Sequence, residues 1–202
     1  MNTYKEIEER IETALNMTND KGEQSEFSFR FYDDDERRHC CIFEAYSPAG
    51  EDLPIEFQFN KSECRIDELY NRIVCEVDSY ANGFDPDEHV ELWISKRGED
   101  GVPSTARELV EDADAIQEMY LDLALRLKEA KNKELHEYQI IIDYEASDYI
   151  TVKSFTPTDA IEIALEKHKE TRKNIPDYQQ AIKAMVNCID GKFGEDHTVY
   201  FD

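Results

Sequence analysis

Phe27-Ser28-Phe29-Arg30-Phe31-Tyr32 alternates aromatic with other side chains at the period of a half-buried strand. Two more strand-like runs follow at once. Cys40 to Tyr46 is the second, and Ile55, Phe57 and Phe59 mark the third. A charged turn over 33–38 and a turn over 47–52 holding Pro48 and Gly50 join them. Short connections between sequential strands predict an antiparallel meander.

Amphipathic helices surround this meander. Before it, Tyr4, Ile7, Ile11, Ala14 and Leu15 recur at spacings of three and four, which predicts a helix over Tyr4 to Met17. After it, Ile66, Leu69, Tyr70, Ile73, Val74, Val77 and Tyr80 form the stripe of a second helix, with Ser62 as its expected cap and Asn82-Gly83 as its end. Val90, Leu92 and Ile94 alternate and predict a short fourth strand containing Trp93. The third helix is the clearest element, from about Thr105 to Ala130. Ala106, Leu109, Val110, Ala113, Ile116, Tyr120, Leu123, Ala124 and Leu127 fall on one side of it at 100° per residue. Glu108, Glu111, Asp112, Asp114, Glu118 and Asp122 fall on the other.

Beyond a charged connector, Tyr138 to Tyr144 reads as a buried strand and Tyr149 to Phe155 as its hairpin partner, with the turn at 146–148. Thr156 or Thr158 then caps a helix holding Ala160, Ile161, Ala164 and Leu165, with Pro157 in its first turn. A last helix is expected over Tyr178 to Ile189, through Ala181, Ile182, Met185 and Val186, and a terminal strand over His197 to Phe201. The fold class is α+β, with mostly antiparallel sheets and amphipathic helices packed on one face. Two domains are expected, over residues 1–131 and 135–202. The second holds 13 acidic and 7 basic residues, a balance of -6; the remaining -18 lies before it.

The chain carries 47 Asp and Glu against 23 Lys and Arg, a net charge of -24 on 202 residues. A compact chain of this length has a radius of gyration of about 16 to 17 Å, hence a diameter of about 43 Å. Duplex DNA of that length carries roughly 25 charges. Direct binding to nucleic acid is therefore disfavoured, and imitation of a duplex is within reach. Solubility alone is the competing account of the acidity. The hydrophobic fraction of 40%, with ten Phe and eleven Tyr, predicts a folded chain. No run of 18 apolar residues occurs, and residues 1–10 are too polar for a signal peptide. With five cysteines, an odd number, these features predict free thiols in a reducing cytoplasm.

Signals for catalysis are sparse. The five histidines form no His-Glu-x-x-His pattern, and no glycine-rich phosphate loop occurs. The cysteines lack the short paired spacing of a zinc knuckle. His89 lies among Asp85, Asp87, Glu88 and Glu91, but strand geometry would scatter those ligands over two faces. Asp33, Asp34 and Asp35 could attract a cation, although Arg37 and Arg38 follow at once. No cofactor, metal or catalytic residue is predicted. An enzyme whose site assembles only in space is the minority reading.

The stretch from Phe84 to Ile94, Phe-Asp-Pro-Asp-Glu-His-Val-Glu-Leu-Trp-Ile, and the stretch from Ser104 to Ala113, Ser-Thr-Ala-Arg-Glu-Leu-Val-Glu-Asp-Ala, together resemble small acidic accessory proteins of phages and conjugative elements. That broad group includes anti-restriction and anti-CRISPR proteins. The resemblance spans about 45 residues and transfers no functional residue. It implies a non-enzymatic inhibitor that occupies the basic DNA-binding channel of a nuclease or restriction complex. Glu108, Glu111, Asp112, Glu118 and Asp122 are the first candidates for contact with such a partner, and Glu88, Glu91, Glu99 and Asp100 the second. The alternative is a protein-interaction or immunity module in which apolar surface near Tyr144 to Phe155 supplies specificity.

Overall fold

The computed structural model describes residues 3–19, 21–32, 36–143, 147–172, 183–193 and 197–200. The chain divides into two compact units. One comprises Met1–Leu15 and Asn19–Asn132, the other Asn16–Thr18 and Lys133–Asp202. Each holds an antiparallel sheet; among the described residues the first has several helices and the second has one, so the fold is α+β.

In the first unit, β1 (Ser28–Phe31), β2 (Arg38–Glu44) and β3 (Ile55–Asn60) form the meander, in the order β1-β2-β3. Register sets Phe29 opposite Phe43, Phe31 opposite Cys41, and Cys41 in turn opposite Phe57. Because strand side chains alternate, these residues share one face with Ile55 and Phe59. That face builds the core, and Phe43 and Cys41 are fully enclosed. Much of the other face is polar. Arg30 forks onto the Glu44 carboxylate at 2.9 and 3.2 Å, the Tyr32 hydroxyl donates to Glu56, and Arg38 donates to Gln58.

Four helices complete this unit: α1 (Tyr4–Asn16), α2 (Ile66–Gly83), α3 (Pro86–Trp93) and α4 (Ala106–Ala130). Most of the stripe residues read from sequence are buried, but Tyr4 (38%), Tyr80 (41%) and Val110 (46%) are exposed. Ile11, Leu69, Ile73, Leu109, Ile116, Leu123 and Leu127 are inaccessible to solvent, and full burial of each side chain contributes about 1.5–3 kcal/mol. Polar links fix the helices between these contacts. The Tyr70 hydroxyl on α2 donates to the Leu127 carbonyl of α4 at 2.8 Å. Arg10 on α1 donates to the Ala130 carbonyl at 2.8 Å while its guanidinium lies 5.6 Å from the Tyr70 ring centre. His39 on β2 accepts the Tyr4 hydroxyl at Nδ1 (2.6 Å) and donates from Nε2 to the Cys64 carbonyl (2.9 Å).

Two starts differ from the sequence reading. Ser62 does not cap α2; its hydroxyl donates to Asn60 Oδ1 in the preceding turn, and the helix begins at Ile66. Residues 90–94 form no strand. Val90 to Trp93 belong to α3, and Ile94–Lys96 continue as a 3-10 turn. Asp85 caps α3 by accepting the backbone N–H groups of Asp87 and Glu88, and Pro86 occupies its first turn. That start signal outweighs a three-residue alternation.

In the second unit, β4 (His136–Asp143) is central, between β5 (Ser147–Ser154) and β6 (Lys183–Ile189), with β7 (Lys192–Phe193) and β8 (Thr198–Tyr200) both pairing β6. Helix α5 (Pro157–Arg172) packs on this sheet. Tyr138, Ile140, Ile142, Val152, Ala160, Ile161, Ala164, Ala184 and Val186 form the core. Thr156, and not Thr158, caps α5: its hydroxyl accepts the Asp159 N–H. The last helix expected from sequence is instead β6 as far as it is described; positions 178–182 lie outside the described residues. Its buried residues, Ala184 and Val186, are two apart, and a hairpin turn follows at Asp190 (φ 48°) and Gly191 (φ 75°). Left-handed backbone at two consecutive turn positions matches the twist of the flanking strands.

Candidate functional site

Helix α4 places its carboxylates where the 100° spacing predicts, but most are held by the protein itself. Glu108 completes a capping box with Thr105: its carboxylate accepts the Thr105 N–H at 3.1 Å and the Thr105 hydroxyl at 2.8 Å. Hydrogen bonds from Thr105 and Ser104 hold the Glu108 carboxyl below its ordinary pKa. Glu111 pairs with Arg107 at 2.8 Å and Glu118 with Lys21 at 3.3 Å. Asp122 pairs at 2.5 Å with Arg126, whose side chain is 5% exposed.

Asp112 is the clearest correction. It was expected to face a partner, and it is only 4% exposed. Its two oxygens accept the Ser47 hydroxyl at 3.0 Å and the Ala49 N–H at 2.9 Å, so it secures the 47–52 turn onto α4. Beside it lies Glu51, with Oε2 3.2 Å from His89 Nε2. Both side chains are nearly enclosed. Burial raises the Glu51 pKa, and neighbouring Asp112 raises it further, against the attraction of His89. His89 therefore points inward from α3. Its ring stacks with Phe84 (5.4 Å) and Trp93 (6.0 Å), and Phe84 in turn meets Tyr120 of α4 at 5.2 Å. This aromatic seam docks α3 against α4.

The second set of candidate carboxylates stands differently. With His89 turned inward, Asp87, Glu88 and Glu91 are left exposed on the outer side of α3. From Ile73 to Ser95 the chain carries six carboxylates and no Lys or Arg. Among the described residues only Asp78 of these six takes a salt bridge, from Lys128 at 2.6 Å. The cations that follow this run are used locally. The Lys96 ammonium lies 4.3 Å from the Trp93 ring centre, and Arg97 donates to the Ile94 carbonyl at 2.9 Å. Glu99 and Asp100 are exposed on the following loop. Gly101 fixes that loop: with φ at 74°, its missing Cβ would lie 2.9 Å from the Gly50 carbonyl oxygen. A side chain there would force the loop away from the 47–52 turn. Helix α3 and loop 97–101 thus offer exposed anionic groups on a held backbone.

Other sequence candidates fall elsewhere. On β5, Tyr149 is 64% exposed and Phe155, just after it, is buried. Tyr144 and Asp33 to Asp35 lie outside the described residues. Cys40, Cys41 and Cys64 are buried, whereas Cys75 is exposed; burial pushes the Cys41 thiol up to about 12. Among the described residues no three His, Cys, Asp or Glu side chains converge as a metal site would require, and no helix is long and apolar enough to cross a membrane. Sequence reasoning missed Leu121 and Leu125, which are exposed on α4. Both lie off the buried stripe, and that placement was the available signal. Comparison with family models, curated proteins and solved structures finds no match for this chain.

Proposed function

We propose that the protein is a non-enzymatic, acidic ligand for the basic nucleic-acid-binding surface of another protein, and that it inhibits that protein by duplex imitation. Carboxylates of α3 and loop 97–101 stand in for phosphates. The observation that carries this reading is the run Ile73 to Ser95, without Lys or Arg, with Asp87, Glu88 and Glu91 exposed on one short helix. Channels that take nucleic acid present Lys and Arg, which bond carboxylates and phosphates alike. The contact surface is thereby moved from α4, where ion pairs with Arg107, Lys21 and Arg126 reduce what a partner's cations can gain.

Affinity capture from a cell extract tests this, using wild type and the triple variant Asp87→Asn, Glu88→Gln, Glu91→Gln. A nucleic-acid-binding protein should be retained by wild type at low salt, released at high salt, and lost from the variant. Capture that is equal for both proteins and insensitive to salt contradicts the reading.

A further inference from the structure

A solvated face of α4 should be polar, yet Leu121 and Leu125 are 43% and 55% exposed one helical turn apart. They line a groove of about 570 Å³ between α4 and the segment holding Asn19, Lys21 and residues 23–27. Ala115, Met119 and Phe27 also line it. The wall opposite α4 is held in place. Arg126 donates to the Glu23 carbonyl at 2.8 Å, Asn19 Oδ1 accepts the Lys21 and Glu23 N–H groups, and Ser25 N–H donates to the Leu15 carbonyl at 3.0 Å. A groove that exists before binding keeps the ordering cost of association low.

We propose that this groove takes a basic amphipathic helix of a partner protein. Apolar side chains of that helix, at spacings of three and four, would cover Leu121, Leu125 and Met119, the usual way an amphipathic helix is held in a groove. Charge selects the occupant. Among the described residues the rim carries Glu23, Glu26, Glu118 and Asp122 against Lys21; Glu118 and Asp122 already pair with Lys21 and Arg126, so Glu23 and Glu26 are the groups that meet a partner's cations. A second copy of this chain would bring another -24 and be repelled, whereas Lys and Arg flanking an apolar stripe are attracted. The site is separate from the α3 carboxylates, so either surface can be disabled while the other is kept.

The test uses two synthetic 14-residue peptides of the same leucine and lysine composition. One places leucines on a single helical face; the other is scrambled. Methyl resonances of Met119, Leu121 and Leu125 are followed during titration of the full chain. The patterned peptide should shift all three saturably, and the scrambled peptide should not. Leu125→Glu, at an exposed position, should weaken binding by about tenfold or more, the loss expected for one leucine contact. Glu26→Lys should weaken it, and the triple α3 variant should leave these methyl shifts unchanged. Equal shifts with both peptides, unmoved methyls, or full affinity in Leu125→Glu overturn the proposal. So does concentration-dependent shifting without peptide, which would assign the groove to a second copy.

Discussion

Asp112 and Glu111 are sequence neighbours with opposite fates. Asp112 accepts the buried Ser47 hydroxyl and the part-buried Ala49 N–H, and Asp112→Ala would strand the hydroxyl, at about 1–3 kcal/mol for a buried unsatisfied group. Glu111 holds an exposed pair with Arg107, so Glu111→Ala should change stability by less than about 0.5 kcal/mol. Urea denaturation of both variants checks this contrast; equal losses would contradict the structural role of Asp112. Glu51 gives a pH dependence with a definite sign. Its folded pKa lies above the ordinary 4.5, so the folded state binds the proton more tightly than the unfolded state. Its contribution is fully present below 4.5 and is lost as pH rises through the raised value. Glu51→Gln should therefore gain on wild type in urea stability as pH rises from about 4 towards neutrality; a difference flat in pH would contradict it. None of this was legible in sequence. The sequence reading puts Asp112 on the side away from the apolar stripe, and Ser47, its partner, is 65 residues away.

At the scale of elements, hydrophobic period located α1, α2, α4, α5, β1 to β5 and the terminal strand β8. It failed where one segment fits both the helix and the strand period. Val90, Leu92 and Ile94 alternate by accident inside α3, and the deciding signal was the Asp85-Pro86 start. Met185 and Val186 suited a helix, while the Asp190-Gly191 turn marked a hairpin. The candidate site was legible in the same partial way. Sequence supplied the carboxylates, but only the fold separates Glu111, Glu118 and Asp122 of α4, which hold ion pairs, from Asp87, Glu88 and Glu91 of α3, which take none among the described residues. If Asp85 starts α3, Asp85→Ala should cost about 1 kcal/mol. Faster amide exchange should then be confined to residues 86–96, and exchange unchanged there would contradict the assignment.

For the whole molecule, -24 on 202 residues means that self-repulsion opposes folding. Raising ionic strength from about 0.01 to 0.15 M shortens the screening length from about 30 to about 8 Å. Thermal stability should rise over that range, as scanning calorimetry would show; a falling Tm would mean that attractive pairs dominate. Whether this charge also serves recognition turns on where a cationic partner settles. The most direct measurement is a titration of the protein with an arginine-rich peptide that has no apolar side chains to fill the α4 groove, followed through the protein's backbone amide shifts. The account predicts that residues 85–101 move first and together, with an affinity that falls steeply with salt. Shifts spread evenly over the molecule, or largest along α4, would contradict it.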